Sequence, residues 1–279
     1  MTLFTLLIVM AFERVVVKAK SLQLATIAQR YFSYIERLIH KKEAQEPKTA
    51  RSEMTTAFIV AGLPTATVWI LAAYLPSPFV FFLHLLILWI CIGCSSARKS
   101  YKGYLQAANR QDYEACSLYS QQFGNEDGDL SHVGRQLVFI NYTHYASIII
   151  VFVILGLPGL VFYVLCRQWH LLQTREGLSK QYTQKLMFIL DWLPSRISTV
   201  GFLLVGHFSR ALPVWLSTFS DSELSAFEVL EKVSKASEDS PSIENAELQE
   251  PLQMVKLVKR NIIFLLMLVS AMTLVGVIS

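Results

Sequence analysis

The feature that most constrains this chain is a run from Met54 to Ala97 that contains no Asp, Glu, Lys or Arg. A helix crosses a hydrocarbon core with about 20 apolar residues, so this run is long enough for two crossings. The sequence Pro76-Ser77-Pro78 lies near its middle, where paired prolines interrupt a helix and favour a turn. The run therefore predicts a helical hairpin with membrane-spanning arms at residues 55–75 and 79–97.

Two further runs also have membrane length. Gln136 to Cys166 is free of full charges, and Gly156-Leu157-Pro158-Gly159 should bend the helix within it, which gives a predicted span at 137–166. The last apolar run gives a span at 261–279. Met1 to Phe12 is short for a crossing and has neither a basic n-region nor a cleavage site, so it predicts a short retained N-terminal helix.

Basic residues predict which loops face the cytoplasm, because those loops carry an excess of Lys and Arg. The segment Lys18–Arg51 has eight basic and three acidic residues, which indicates a basic cytoplasmic segment at 18–54. The basic residues at 256–260 also indicate the cytoplasm, so one more crossing is needed after 166, and 187–208 is the stretch that fits. The alternative is that this stretch lies on the membrane surface as an interfacial helix and the terminal span is inverted.

Two polar segments should lie outside the membrane. Residues 98–123 predict a cytoplasmic helix with Tyr104 and Leu105 on its apolar side. The segment 221–250 holds nine of the 21 acidic residues and begins with the spacing of an amphipathic helix. We therefore expect an acidic helix there, followed by an acidic linker.

Composition supports the membrane class, because 53% of the residues are hydrophobic and 16% are charged, against about 25% charged in soluble domains. The predicted fold class is all-α: a polytopic α-helical membrane protein with about five transmembrane helices, a short N-terminal helix and cytoplasmic amphipathic helices. The lipid bilayer is the expected partner. No basic stripe is interleaved with aromatic residues, so we expect no nucleic acid partner.

The residue patterns of common catalytic and metal sites are missing from the sequence. Cys91 and Cys94 have the spacing of a redox dithiol, but they end a membrane run and lack the βαβ setting of such motifs. The histidines do not have metal-ligand spacing, and no phosphate-binding glycine loop is present. We expect no metal and no cofactor, we name no catalytic residue, and the balance is against an enzyme.

Ionisable residues at membrane depth are costly and often mark functional sites. The stretch Asp191-x-x-Pro194-x-Arg196 therefore predicts part of a polar ligand site, in which Asp191 and Arg196 bind each other or a polar headgroup. The alternative is a helix start, with Asp191 as the cap, Pro194 in the first turn and Arg196 reaching toward headgroups. The candidate ligand-binding residues are Glu13, Arg14, Asn141, Asp191, Pro194, Arg196 and His207.

Four stretches together resemble the AmpE family: MTLFTLLIVMAFERVVV, KSYKGYLQAANRQDYEA, FINYTHYASIIIVFVILGLPGLVFYVLCRQW and ILDWLPSRISTVGFLLVGHFSRALPVWL. This resemblance implies a multi-pass protein of the bacterial inner (cytoplasmic) membrane that modulates or transduces a signal in β-lactamase induction and the response to cell-wall damage. It also makes a small cell-wall-derived ligand and a cytoplasmic signalling partner possible. We hypothesise that a small polar or amphiphilic molecule binds the candidate residues and biases the cytoplasmic helices. A pure scaffold that docks a soluble partner is left open.

The AmpE family is in turn similar to the CobD/CbiB cobalamin-biosynthesis membrane proteins. The shared traces are the turn Gly156 to Tyr163 and the L-x-x-x-P-x-R pattern from Leu190 to Arg196. At the acidic motifs of those enzymes this chain has Ile140-Asn141-Tyr142-Thr143-His144 and Arg167-Gln168-Trp169-His170, without carboxylates. A metal-phosphate-dependent ligation would need such carboxylates to hold the cation. The alternative function is a membrane-embedded transferase or ligase of this kind with a changed substrate.

Overall fold

The computed structural model describes residues 2–16, 18–19, 22–40, 50–125, 128–176, 181–221, 223–238 and 246–276. Residues 41–49 of the predicted basic segment and 239–245 of the predicted acidic linker lie outside the described residues. Within the described ranges the chain forms helices and no strand. In chain order the helices are α1 (Thr2–Val15), α2 (Leu24–His40), α3 (Ala50–Tyr74), α4 (Ser77–Cys91), α5 (Ser95–Asn109), α6 (Tyr113–Gln122), α7 (Val133–Asn141), α8 (Ser147–Glu176), α9 (Gln181–Val205), α10 (Phe208–Ser220), α11 (Ala226–Ser237) and α12 (Ala246–Leu274).

Four helical stretches of the described chain are long and apolar enough to cross a membrane, judged by length and composition. Helices can enter lipid because they satisfy their own backbone hydrogen bonds. With the shorter apolar helix Phe58–Tyr74, these stretches are consistent with the expected number of about five, and the predicted all-α membrane fold is confirmed. The four stretches are Ser77–Asn109, Val133–Thr174, Thr183–Val205 and Gln249–Leu274.

The predicted turn between α3 and α4 is confirmed. Pro76 precedes the first residue of α4, and Pro78 occupies the first turn, where a proline costs no helical hydrogen bond. The far end of α4 differs from the prediction, because the helix ends at Cys91 and not at Ala97. Ile92 is extended and Gly93 has φ +87°, a left-handed conformation that ends a helix and that glycine adopts at little cost.

The long apolar run after α6 is interrupted twice. Gly156 has φ +68° and ψ −168° inside α8, so the predicted bend at Gly156-Leu157-Pro158-Gly159 is confirmed. Upstream, Tyr142–Ala146 forms a π-helical turn, in which the Ser147 N–H donates to the Tyr142 carbonyl. The His144 carbonyl in this turn accepts a hydrogen bond from the Gly93 N–H at 3.0 Å.

The chain forms two compact units. Unit 1 comprises Met1–Ile92 and Val151–Asp191. Its core includes a buried group of Ala28, Phe32, Val60 and Trp169, in which the rings of Phe32 and Trp169 meet edge to face at 5.0 Å.

Lys18, from the predicted basic segment, contributes to unit 1 at the end of α4. Its Nζ donates to the carbonyl oxygens of Ile92 and Ile90. The negative end of a helix dipole favours a cation at this position.

Unit 2 comprises Gly93–Ile150 and Trp192–Ile278. The prediction of one helix over 98–123 is wrong, because α5 and α6 are separate. The chain turns at Arg110–Asp112, where Gln111 has φ +55°, and the Asp112 side chain accepts a hydrogen bond from the Ala115 N–H at 3.0 Å. An aspartate that caps a new helix competes with continuation of the old one.

Helix α11 is the predicted acidic amphipathic helix, and it begins at Ala226. Ser225 and Glu228 form a capping box at its start. Arg135 of α7 and Lys235 both contact Glu231, at 3.2 and 3.0 Å. Burial raises the pKa of Glu231, but the hydrogen bonds and charges of these two cations lower it more, so its pKa lies below the usual value for a glutamate.

Candidate functional site

Asp191, Pro194 and Arg196 lie inside one continuous helix. Because α9 begins at Gln181, the interpretation of this stretch as a capped helix start is wrong. A proline inside a helix removes one backbone donor. Nearby hydroxyl groups bond to carbonyls of the same helix: Ser195 Oγ donates to the Trp192 carbonyl at 3.0 Å, and Thr199 Oγ1 donates to the carbonyls of Ser195 and Arg196 at 3.0 and 2.9 Å.

Arg196 is 3% exposed, so the part of the helix-start alternative in which its side chain reaches toward headgroups is also wrong. Its guanidinium donates to three neutral oxygens: Ser195 Oγ at 3.3 Å, the Asp221 carbonyl at 3.1 Å and the Thr218 carbonyl at 3.5 Å. It also lies over the Trp192 ring, 5.3 Å from the centroid. The two carbonyls belong to the C-terminal end of α10, so Arg196 caps that helix with a positive charge.

A buried donor of Arg196 is left over. Its Nε is buried and has no hydrogen-bond partner within the described part of the chain. A buried polar group without a partner costs about 1–3 kcal/mol. The side chain is thus a buried cation with neutral acceptors and a spare donor, a setting suited to a bound anion.

Asn261 is a buried polar residue that the sequence analysis missed. Its Nδ2 donates to Ser198 Oγ at 3.1 Å, while its Oδ1 is buried without a partner among the described residues. A Cβ on Gly201 would lie 1.9 Å from that oxygen, so the glycine lets α9 and α12 approach closely. The signal available in the sequence was the pair of small residues Ser198 and Gly201 inside an apolar run, since small residues are typical of positions where membrane helices approach closely.

Asp191 has a different environment, in unit 1. The Tyr163 hydroxyl donates to Asp191 Oδ1 at 2.6 Å, and the Tyr163 ring lies 5.3 Å from the Arg167 guanidinium carbon. Tyr163 and Arg167 are both buried. The sequence analysis noted both positions in motifs but assigned neither a role, and no local spacing links them to Asp191.

The other candidate residues divide between the two units. In unit 1, Glu13 is buried and Arg14 is exposed, as expected for adjacent positions about 100° apart on a helix. In unit 2, Asn141 is the last residue of α7, and the exposed His207 precedes α10 with its backbone N–H bonded to the Ser237 carbonyl at 2.9 Å. One ligand site formed by all seven candidates stays a prediction.

Metal ligands do not cluster in the described ranges. Among those residues there is no group of three or more His, Cys, Asp and Glu side chains that could hold an ion. Cys91, Cys94, Cys116 and Cys166 are free thiols.

Comparison with known proteins gives a consistent result over the whole chain. A family model described as the regulatory signalling modulator protein AmpE matches residues 1–279. Protein AmpE from Shigella flexneri is 25% identical over 301 aligned residues, which cover 99% of this chain and 99% of that protein. No solved structure matches the chain. Neither match points to CobD/CbiB, so that relation and the alternative transferase activity stay predictions. The chain belongs to the AmpE family of regulatory signalling modulators.

Proposed function

We propose that the protein modulates β-lactamase induction from the bacterial inner membrane and responds to an anionic or amphiphilic molecule derived from the cell wall. The family match supports a regulatory role. The apolar helices support a membrane location. The link to β-lactamase rests on the resemblance in sequence, and the chemistry of the ligand is argued from Arg196.

The observation that carries the proposal is the buried guanidinium of Arg196. Its hydrogen bonds go to neutral oxygens, and its Nε is a buried donor with no partner in the described chain. A carboxylate or phosphate that reached this side chain would receive charge-assisted hydrogen bonds, which are about twice as strong as neutral ones. An anionic group is therefore the ligand chemistry that this side chain favours.

Binding at Arg196 would act on the contact between α9 and α10. The same guanidinium holds the carbonyls of Thr218 and Asp221, so an anion would compete with them for its donors. Loss of the cap would weaken the end of α10 and the connection that leads to α11. A ligand shifts this equilibrium as far as its affinities for the two states differ.

The test compares three variants in a strain with an inducible β-lactamase and with its own copy of the gene deleted. Arg196→Gln removes the charge. Arg196→Lys keeps the charge but loses the planar guanidinium group, which can bind an anion through two parallel hydrogen bonds. Arg210→Gln is the matched control, because it removes a cation from an exposed position of α10. We expect Arg196→Gln to change the induction ratio about fivefold or more and Arg210→Gln to leave it unchanged, at equal membrane levels. Wild-type induction by Arg196→Gln would refute the proposal.

Binding is measured on the purified protein with soluble fragments released from peptidoglycan by enzymatic digestion. We expect these fragments to raise the thermal unfolding midpoint of the wild type and of Arg210→Gln. The midpoint of Arg196→Gln should not respond. Equal shifts in all three proteins would show that Arg196 does not hold the ligand.

A further inference from the structure

Helix α10 folds back along the second half of α9. At one end of the pair, the rings of Trp192 and Phe219 lie 6.2 Å apart, and Arg196 bonds to the Asp221 carbonyl. At the other end, two residues connect Val205 to the start of α10. The two segments are therefore antiparallel, and we call Trp192–Phe219 the interface hairpin.

The interface hairpin exposes large apolar side chains on each of its helices. Leu193 and Leu204 are 45% and 52% exposed, and Phe208 and Phe219 are 50% and 45% exposed. Each pair is separated by eleven residues, which brings its members to within about 20° of the same helix face. The residues between them on that face are apolar and half-buried, Ile197 and Val200 in α9 and Leu212 and Trp215 in α10, so each helix presents an apolar stripe.

Helix α11 packs against α10, runs between the two ends of the hairpin and carries charge. Its N-terminal end follows Asp221, whose carbonyl is bound by Arg196, and at its other end the Ser237 carbonyl accepts the His207 N–H. Its buried side carries uncharged residues, among them Val229, Leu230 and Val233, whereas its exposed side carries the charged residues Glu228, Lys232 and Lys235.

Helix α12 contacts the interface hairpin at the point where its own sequence changes from basic to apolar. Asn261 bonds to Ser198, near the middle of the α9 segment. Lys256, Lys259 and Arg260 precede Asn261, and no charged residue follows it. A change from basic to apolar sequence along a helix is typical of the membrane surface.

We propose that the interface hairpin lies along the membrane surface, with its apolar stripes among the acyl chains of one leaflet and α11 on the water side. An upright α9 segment would spread the exposed charges of α11, from Glu228 to Lys235, over about 10 Å of depth in the hydrocarbon, where charges are costly. Raising the whole segment into water would instead expose its apolar stripes. With the hairpin flat on the surface, the apolar stripes lie in lipid and the charges of α11 lie in water. This arrangement corresponds to the alternative in which 187–208 does not cross the membrane.

The experiment measures the depth of single cysteines in lipid vesicles. The four native cysteines are replaced, and Leu193→Cys, Leu204→Cys, Phe208→Cys, Phe219→Cys and the control Lys232→Cys are each labelled with a small fluorophore. Lipids with a quencher near the headgroup or near the bilayer centre then report the depth of each label. A flat hairpin places 193 and 204 within about one helical turn, about 5 Å, of the same depth. The 208 and 219 pair should agree in the same way.

The outcomes separate the arrangements. Residues 193 and 204 differing by about 16 Å in depth would overturn the proposal in favour of a crossing helix. Absence of quenching at both 208 and 219 would overturn it in favour of a protein partner or a second copy on that face. Residue 232 should escape quenching and react with an impermeant thiol reagent. The two independent pairs keep the test decisive if one variant fails to insert.

Discussion

Replacing Gly201 with alanine should destabilise the protein through one contact. The new Cβ would lie 1.9 Å from Asn261 Oδ1 and 3.0 Å from its Cγ. Asn261 is buried and bonded to Ser198, so moving it sacrifices a hydrogen bond of about 1 kcal/mol. Overpacking costs about 1–3 kcal/mol, whereas alanine gains up to about 1 kcal/mol of helix propensity over glycine. The net loss of about 1–3 kcal/mol should lower the unfolding midpoint by about 2–12 °C, at about 2–4 °C per kcal/mol for a chain of this size.

Thermal unfolding in detergent micelles, followed by tryptophan fluorescence, measures this change. Gly62→Ala is the control, because nothing lies within 4 Å of a Cβ at that position of α3, and its midpoint should be equal or higher. Asn261→Ala combined with Gly201→Ala removes the overlap, so the double variant should be more stable than the sum of the single changes predicts. A Gly201→Ala protein with the wild-type midpoint, or strictly additive changes, would refute the reasoning.

Three further variants test contacts elsewhere in the fold. Tyr163→Phe deletes the hydroxyl bonded to Asp191 at 2.6 Å, so the unfolding free energy should fall by about 1.5–3 kcal/mol in the same assay, and an unchanged midpoint would contradict a role for this bond. Burial raises the pKa of Glu231, but its bonded cations lower it more. The ion pairs of Glu231 therefore add to the free energy of unfolding above about pH 4.5, and this contribution is lost as the pH falls through the pKa of Glu231 in the folded protein. Unfolding midpoints of wild type and Glu231→Gln should therefore converge on acidification, and a constant gap would argue against the ion pairs. Ser225→Ala removes the capping box of α11 and should cost about 1 kcal/mol, measured as faster amide exchange in that helix; wild-type exchange rates would count against the cap.

Backbone chemistry made several features of the fold predictable from sequence. The turn at Pro76-Ser77-Pro78 and the bend at Gly156 follow from what proline and glycine allow locally, whatever surrounds them. The same local reasoning failed at Asp191 and Pro194, where a helix start was a reasonable interpretation. There α9 continues through the proline, so its packing in the fold outweighs the local preference.

The buried polar contacts could not be predicted from spacing. Asn261 and Ser198 are 63 residues apart, and Tyr163 and Asp191 are 28 apart, so neither pair leaves a local pattern. Arg196 was identified as a candidate because a charge in an apolar run is conspicuous. Its acceptors are backbone carbonyls, and every residue type offers those.

The π-helical turn at Tyr142–Ala146 holds one residue more than an α-helical path would need. Each residue adds about 100° of rotation, so this surplus sets the direction in which α7 faces relative to Ser147–Ile150. Deleting one residue there would leave a regular α-helix but would rotate Arg135 away from Glu231. A deletion or insertion of one residue at this point therefore rotates α7 about its axis and does not break the helix. A single additional residue thus determines which way the whole of α7 faces.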